Sequence, residues 1–440
     1  MKILLISFRF HPVDHVQTYR WTCVSEWLEK NGHHVTVLTS QQQNCQQFEN
    51  YKGIDIVRVN IKRFNDFRLS IKKYDNVNYS KISYLNKIKY YISKMISGIW
   101  RFIYWPDSSC LFINSFYKKA IDIIKSSNYD IIISNAFPIS MHFVTHKIKS
   151  IYPNIPIMYD YGDAWSVEKL LTVNNIYLYS SLNKWYESKI FKTANAITLT
   201  TREQLELYVK EFPFIKNKVF VVPPLFNIPK SPPTSKKYLS EYTNCINITY
   251  IGAFYRKVRS PDYTLSIFNY YFNKYPNSNV FIHIFANNEI VSDIINKYVN
   301  IIGTKIILHE PVPKDCISSI YDESNFLLNI GNYTQHHLPS KLVDYVSSKK
   351  PIIQFLQNIT DCSSRFIEDY PSSIAFSEPI DKPNDNTIDR LHNFIINTPN
   401  PPNNQWVLDW LSKYSVETIS NNYLTIINKT IELNNIKCKE

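Results

Sequence analysis

The segment 340–348 contains a cationic and an acidic residue at a spacing that suits nucleotide chemistry. If it is helical, its apolar residues share one side, and the opposite side presents Lys341, Asp344, Tyr345 and Ser348. Lys341 would lie in the first turn, where the helix terminus favours an anion such as a diphosphate. Asp344 could accept hydrogen bonds from two ribose hydroxyls. The alternative is an exposed i, i+3 ion pair with no ligand.

A second group of candidates lies in the first half of the chain. Asp160 and Asp163 follow a predicted buried strand at its carboxyl end, where parallel sheets form ligand sites. Asp163 could orient or deprotonate an acceptor hydroxyl, or it could cap a helix. His142 could bind an acceptor, or pack or cap at the start of a helix. Gln17 and Arg20 could bind an acceptor or a donor phosphate, and an exposed helix arginine is the alternative for Arg20.

The elements that position these residues alternate between short β-branched runs and helical patterns in both halves of the chain. Apolar strands without polar alternation predict parallel sheets that helices cover on both faces. We therefore predict an α/β fold with two Rossmann-like doubly wound domains and a ligand cleft between them. The predicted bounds are 1–222 for the first domain, 223–244 for a Pro-rich linker, 245–400 for the second domain and 401–440 for a C-terminal helix that could pack back on the first.

Composition excludes several classes of protein and site. With 440 residues, 44% of them hydrophobic, the chain is typical of a folded protein of two domains. Its seven glycines form neither G-x-G-x-x-G nor a P-loop. Its seven cysteines are scattered without C-x-x-C spacing, which argues against a disulfide framework or a zinc site and favours a reducing cytoplasm. The apolar run at residues 1–7 is too short for a signal peptide, and no apolar run reaches the ~18 residues of a membrane span.

Most of the net charge of +12 is concentrated in residues 61–120, which have twelve Lys or Arg and three Asp, a net charge of +9. Aromatic residues are interleaved with these cations, as in 87–94 and 100–105. Three interpretations stay open at this point: basic surface helices, a surface that faces an anionic membrane, and nucleic-acid binding. Nucleic acid is the least favoured, because no recognition motif accompanies the charge, and we predict no nucleic-acid partner.

The segment 338–353, Leu-Pro-Ser-Lys-Leu-Val-Asp-Tyr-Val-Ser-Ser-Lys-Lys-Pro-Ile-Ile, resembles the donor-binding segment of GT-B glycosyltransferases of family 4. Other segments are similar to further parts of that family in the same order along most of the chain, namely 10–12 with 17–21, 32–39, 129–142, 159–165 and 249–261. Each motif is weak alone, and their common order makes the resemblance specific.

The resemblance implies roles for named residues. Arg256, Lys257 or Arg259, together with Lys341, would neutralise the donor diphosphate, Asp344 would bind the ribose, and Ser340 would belong to the same donor site. Such charge compensation can replace a metal ion, so no cofactor and no metal are expected. The family generally retains anomeric configuration. The chain departs from the family's E-x7-E pattern, which reads His336-x7-Asp344, so the sugar-binding role of His336 stays open.

The function that follows is transfer of a sugar from a nucleotide diphosphate sugar to a glycan or lipid-linked glycan acceptor. By family analogy it would serve bacterial O-antigen, lipopolysaccharide or capsule synthesis, from a cytoplasmic position peripheral to the inner membrane. Two alternatives are a nucleotide-sugar 2-epimerase of the same fold and a non-catalytic glycan-binding or partner subunit.

Overall fold

A computed structural model of the chain describes residues 1–13, 15–60, 95, 98–100, 102–225, 236–339 and 341–437. Ser340, residues 226–235 of the predicted linker, and residues 61–94 of the basic stretch lie outside the described residues. The chain divides into two compact units: the first comprises Met1–Leu225 with Ser415–Glu440, and the second is Phe226–Tyr414.

The first unit is built around a sheet that, in the described ranges, has eight strands. The strands are β1 (Lys2–Ser7), β2 (His34–Ser40), β3 (Phe48–Tyr51), β4 (Ile54–Val59), β5 (Ile131–Asn135), β6 (Ile157–Asp160), β7 (Ala196–Leu199) and β8 (Val219–Val221). Its described helices are α1 (Val16–Lys30), α2 (Ile113–Ser126), α3 (Ser140–Lys149), α4 (Ile176–Thr193) and α5 (Arg202–Glu211), with the C-terminal helix treated below.

The strand order is β3-β4-β2-β1-β5-β6-β7-β8, and all described pairs except β3–β4 are parallel. Successive β1 residues point to opposite faces: Leu4 and Ile6 join the core on one side, and Ile3 and Leu5 join the core on the other. Helices cover both cores, which confirms the predicted doubly wound arrangement. The strand order reverses direction between β1 and β5, so the carboxyl ends of these two strands form the position where such folds bind ligands.

The second unit has a parallel sheet, six-stranded in the described residues, with the order β11-β10-β9-β12-β13-β14. The strands are β9 (Ile246–Ile251), β10 (Val280–Phe285), β11 (Ile306–His309), β12 (Phe326–Ile330), β13 (Ile352–Leu356) and β14 (Ser373–Ser377). The described helices are α6 (Asp262–Lys274), α7 (Ser292–Ile295), α8 (Ile317–Glu323), α9 (Lys341–Ser348), α10 (Cys362–Phe366), α11 (Asp385–Ile396) and α12 (Asn404–Ser412). Its reversal of strand order lies between β9 and β12.

The C-terminal stretch forms two helices, α12 in the second unit and α13 (Val416–Lys437) in the first. Helix α13 packs on α1: the rings of Trp21 and Tyr423 lie 4.8 Å apart, and Ile419 and Ile427 are fully buried in the same core. Within the described residues, every helix is too short or too polar to span a membrane.

One side chain of α9 differs from the expectation. Tyr345, predicted on the presented side with Lys341 and Asp344, is 1% exposed, and its hydroxyl donates to the Leu328 carbonyl at 3.1 Å. The aromatic ring therefore anchors α9 to β12, and the presented side is narrower than helical spacing suggested.

Candidate functional site

In the second unit, two of the predicted donor-site cations lie at the reversal of strand order between β9 and β12. Arg259 lies in the loop after β9, and its Nε donates to Asn332 Oδ1 at 3.0 Å, in the loop after β12. Lys341 begins α9, and its Nζ lies 5.6 Å from the centroid of the Tyr250 ring on β9. The residues come from three separate parts of the sequence, and the fold brings them to one sheet edge.

Gly252, the first residue after β9, leaves room for the lysine. A Cβ at this position would lie 2.8 Å from Lys341 Nζ and would overlap the Tyr250 hydroxyl. This hydroxyl instead donates to the Ala253 carbonyl at 3.2 Å, while the Tyr250 ring stacks on Phe254. A residue with a side chain at position 252 would displace the ammonium group from this place.

The environment makes Lys341 an unusual cation. Burial, reinforced by the neighbouring positive charge of Arg259, lowers the pKa of Lys341 to about 7, and Asp344 acts in the opposite direction. Two cations are thus held close together in a partly desolvated place. An arrangement of this kind becomes favourable when a dianionic or diphosphate ligand binds between them.

The other two predicted cations of the β9 loop are placed differently. Arg256 is exposed; its Nε donates to the Ile290 carbonyl at 2.9 Å and its Nη2 pairs with Asp293 at 2.7 Å, near α7. Lys257 is also exposed. Of the three alternatives that the resemblance left open, Arg259 is the one that lies beside Lys341.

The loop between β12 and α9 is held by two side chains that sequence reasoning did not select. Asn332 is buried; its Nδ2 donates to the His337 carbonyl at 2.7 Å, and its backbone N–H donates to Asp361 Oδ2 at 2.8 Å. Asp361 also accepts from the Ser363 backbone at 2.8 Å, and burial raises its pKa to about 6. These bonds fix the path of the loop and, through Asn332, the position of Arg259.

His336, which replaces the first glutamate of the family pattern, lies in this loop and is 7% exposed. Its ring is 4.4 Å from that of His337, whose Nδ1 lies 2.9 Å from Thr334 Oγ1. His336 is therefore a packed loop residue. Asp344 is half-buried one turn along α9 from Lys341, as helical spacing predicted.

In the first unit, Gln17 lies at the reversal of strand order. Its Oε1 accepts from the Phe137 backbone N–H, just beyond β5, at 2.8 Å. A Cβ at Gly162, beyond β6, would overlap the Gln17 amide. Asn135 Nδ2 donates to Ser7 Oγ at 2.9 Å across the neighbouring ends of β5 and β1. Gln17 thus joins α1 to the loops after β5 and β6.

Asp160 is 2% exposed and accepts three hydrogen bonds from different elements. The donors are Trp21 Nε1 from α1 at 2.8 Å, Thr198 Oγ1 from β7 at 2.6 Å and the Tyr423 hydroxyl from α13 at 2.7 Å. A carboxylate with this many buried donors is a structural junction, because each partner would lose its acceptor without it.

Arg20 is also turned inward. Its Nη2 donates to the carbonyls of Val222 at 2.8 Å and Pro223 at 3.2 Å, and its guanidinium lies 5.1 Å from the centroid of the Tyr423 ring. It is 4% exposed, so it is not the exposed helix arginine that was its alternative. Arg20 therefore holds the chain beyond β8 through hydrogen bonds and contacts α13 through the Tyr423 ring.

His142 is fully buried on α3, with Nδ1 at 2.7 Å from Ser134 Oγ and its ring between those of Tyr159 and Tyr161. Burial lowers its pKa to about 3. The ring is therefore neutral at physiological pH, as expected of a packing histidine.

His142 should make the first unit sensitive to acid. Its pKa is about 3 in the folded protein and has the usual histidine value of about 6.5 in the unfolded chain, so between these pH values only the unfolded chain takes up the proton. Stability from this residue is complete above pH 6.5 and is lost as the pH falls; from pH 7 to pH 5 the loss is about 2 kcal/mol. His142→Gln cannot titrate. Denaturant unfolding at both pH values should show wild type losing about 2 kcal/mol more than this variant, and an equal loss in both would contradict the assignment.

Asp163 differs from the other first-unit candidates because it is exposed, in the loop that follows β6. Buried groups anchor the rest of this loop. Glu187 on α4 accepts from the Ser166 hydroxyl and, at 2.9 Å, from the Tyr208 hydroxyl, which in turn accepts from the Trp165 backbone N–H at 2.9 Å. Burial raises the pKa of Glu187 to about 7. This buried network holds the loop that carries Asp163 at the carboxyl edge of the sheet.

The structure therefore separates the predicted site residues into two kinds. Presented at the sheet edges are Arg259, Lys341, Asp344 and Asp163, with Gln17 half-buried among the loops of the first unit. Enclosed in the packing are Asp160, His142, Arg20 and His336. Asn332 and Asp361 lie within five residues of the ends of the buried strands β12 and β13, and this position was the signal that could have identified them.

No protein-family model and no curated protein matches the sequence. Solved structures do match. Sucrose-phosphate synthase from Thermosynechococcus elongatus has a TM-score of 0.65 and 12% identity, covering 98% of this chain and 99% of that chain. An alpha,alpha-trehalose-phosphate synthase (UDP-forming) from Burkholderia vietnamiensis has a TM-score of 0.61 and 9% identity, covering 98% of both chains.

A glycosyltransferase from Rickettsia africae is similar at a TM-score of 0.58 and 12% identity, covering 98% of both chains. Identities this low show the fold alone. The chain has the GT-B fold with two Rossmann-like domains, which confirms the predicted fold class, and glycosyltransferases are among its structural neighbours.

Proposed function

We propose that this chain is a glycosyltransferase that transfers a sugar from a nucleotide diphosphate sugar to a glycan or lipid-linked glycan acceptor. The observation that carries the proposal is the pair Arg259 and Lys341 at the reversal of strand order in the second sheet. A GT-B fold with two convergent cations at this position suits a nucleotide diphosphate.

In this proposal the two cations stabilise the leaving group. Negative charge develops on the nucleotide diphosphate as the bond to the sugar breaks, and cations already held in place stabilise it without reorganisation. Arg259 is oriented by Asn332, and Lys341 by its position in the first turn of α9. Asp344 would bind the ribose. The reaction would retain anomeric configuration and need no metal ion, so activity should survive treatment with a chelator.

On the acceptor side, Asp163 is the proposed residue that orients or deprotonates the acceptor hydroxyl, because it is exposed in the loop that follows β6. Asp160 and His142, by contrast, would act by holding the loops and strands around it. The resemblance to family 4 supports a place in bacterial O-antigen, lipopolysaccharide or capsule synthesis, peripheral to the cytoplasmic face of the membrane.

Donor affinity should depend on pH because of Lys341. Its pKa is about 7 in the free protein, and a bound diphosphate would raise it, so binding above pH 7 requires proton uptake. We expect the affinity to fall by up to about tenfold per pH unit above pH 7. Calorimetric titration between pH 7 and pH 9 measures this, and Lys341→Arg should remove most of the dependence, since arginine stays protonated. A pH-independent affinity in the wild type would contradict the role of Lys341.

The function itself is tested by incubating the protein with a panel of nucleotide sugars, with and without candidate acceptors. Free nucleotide that is released only in the presence of an acceptor supports transfer. A new nucleotide-sugar isomer formed without acceptor would instead identify a 2-epimerase. Donor binding without any product in membrane extracts would favour a non-catalytic binding subunit.

A further inference from the structure

The outer side of α4 in the first unit exposes large apolar residues to solvent. Leu178, Leu182 and Trp185 follow one helical stripe and are 54%, 37% and 53% exposed, and the adjacent Tyr177 is 96% exposed. The opposite side of the helix is buried through residues such as Glu187 and Phe191. Helix α4 thus has one side that packs in the unit and another apolar side without a described covering element, where a surface helix would ordinarily be polar.

A neighbouring segment extends this stripe. Phe102 and Ile103 are 59% and 50% exposed. They lie beside the start of α4, because the Tyr179 hydroxyl donates to the Ile103 carbonyl at 2.7 Å and Asn175 Nδ2 approaches the Phe102 carbonyl at 3.4 Å. We call these six residues, Phe102, Ile103, Tyr177, Leu178, Leu182 and Trp185, the apolar surface.

The charged side chains of α4 that reach solvent are all lysines. Lysines 169, 184, 189 and 192 lie on or next to α4, and Lys184 pairs with Glu211. The two acidic residues within 98–111 and 169–192, Asp107 and Glu187, are buried at 4% and 0% exposure. The ammonium of Lys189 lies 3.5 Å from the centroid of the Trp185 ring. Residues 61–94, which precede this segment in the sequence, contain nine Lys or Arg and two Asp.

We propose that the apolar surface docks this protein on a lipid bilayer with anionic headgroups. Tryptophan and tyrosine suit the boundary between headgroups and acyl chains, leucine and phenylalanine suit the shallow apolar layer, and the lysines attract anionic lipids. A second copy of the chain fits less well, because the same lysines would meet across the interface. The inference deepens the proposed function, on which it rests only for the idea that the acceptor is lipid-linked.

Vesicle flotation tests the proposal with the full chain and phosphatidylcholine vesicles made with or without phosphatidylglycerol. Wild type should float only with the anionic vesicles. Leu178→Ser combined with Trp185→Ser should weaken the binding by on the order of tenfold or more. Ile380→Ser combined with Leu408→Ser is the matched control, since these residues are 64% and 61% exposed in the second unit. Lys189→Gln with Lys192→Gln leaves the apolar residues in place and should also weaken binding to the anionic vesicles.

Four results would overturn the proposal: no flotation of wild type, equal flotation with neutral vesicles, equal flotation of the α4 double variant, or a wild-type dimer that this variant makes monomeric. Thermal unfolding of each variant verifies that it is folded. If the Leu178→Ser, Trp185→Ser variant does not fold, the lysine variant tests the proposal in its place. Transfer to a water-soluble acceptor should be unchanged in all of them. Wild-type protein that transfers sugar but does not float would contradict this inference and leave the proposed function intact. Wild-type protein that floats but transfers no sugar would contradict the proposed function and leave this inference intact.

Discussion

Lys341→Ala and Arg259→Ala are each expected to weaken binding of a nucleotide diphosphate sugar by roughly 10- to 100-fold, since each removes a charge-assisted contact to phosphate. The fold should stay intact, because neither side chain belongs to the apolar cores of the second unit. Calorimetric titration with a panel of nucleotide sugars measures the loss, and thermal unfolding without ligand verifies the fold.

Arg256→Ala is the matched control for this pair. Arg256 belongs to the same loop as Arg259, but its guanidinium bonds the Ile290 carbonyl and Asp293 near α7. Its removal should change donor affinity less than about twofold. If Arg256→Ala weakened binding as much as Arg259→Ala, or if neither Arg259→Ala nor Lys341→Ala had an effect, the donor site would be misplaced.

Asp160→Ala is expected to lower the free energy of unfolding of the first unit by roughly 3–5 kcal/mol. The substitution leaves the donors on Trp21, Thr198 and Tyr423 buried without their acceptor. Because Tyr423 belongs to α13, we also expect faster amide hydrogen exchange in this helix. Denaturant unfolding and hydrogen exchange measure the two effects.

Asp163→Ala provides the comparison for Asp160. Asp163 is exposed on the loop after the same strand, so its truncation should change stability by less than about 1 kcal/mol. We expect transfer activity to fall in Asp163→Ala without loss of stability. An Asp160→Ala protein that was as stable as wild type but inactive would instead restore the catalytic role that its place after β6 suggested.

Local patterns were sufficient for some features of the candidate site. Helical spacing placed Lys341 and Asp344 on adjacent turns of α9, because this relation depends only on residues three positions apart. The prediction from spacing that Tyr345 faces solvent was wrong, because its side chain is long enough for the hydroxyl to reach the Leu328 carbonyl on β12. Periodicity describes a direction from the helix axis, whereas burial depends on what lies in that direction.

Contacts between segments that are far apart in the chain could not be predicted from local sequence patterns. The sequence offered Arg256, Lys257 and Arg259 as equals, and the choice of Arg259 rests on its bond to Asn332, 73 positions further along. Asp160 and Asp163 were similarly matched as catalytic candidates. Only the hydrogen bonds that Thr198 and Tyr423, from later in the chain, donate to Asp160 show that its carboxylate is enclosed.

By itself the sequence determined the two parallel α/β sheets, the scarcity of glycine that excludes a Gly-rich phosphate loop, and the Lys341–Asp344 pair, because composition and short-range periodicity specify these features. Tertiary structure alone decided which candidates face solvent, since that depends on packing between elements far apart in the chain. The same reason applies to the apolar surface. Its two parts, residues 102–103 and 177–185, are more than seventy positions apart, and only the fold places them together.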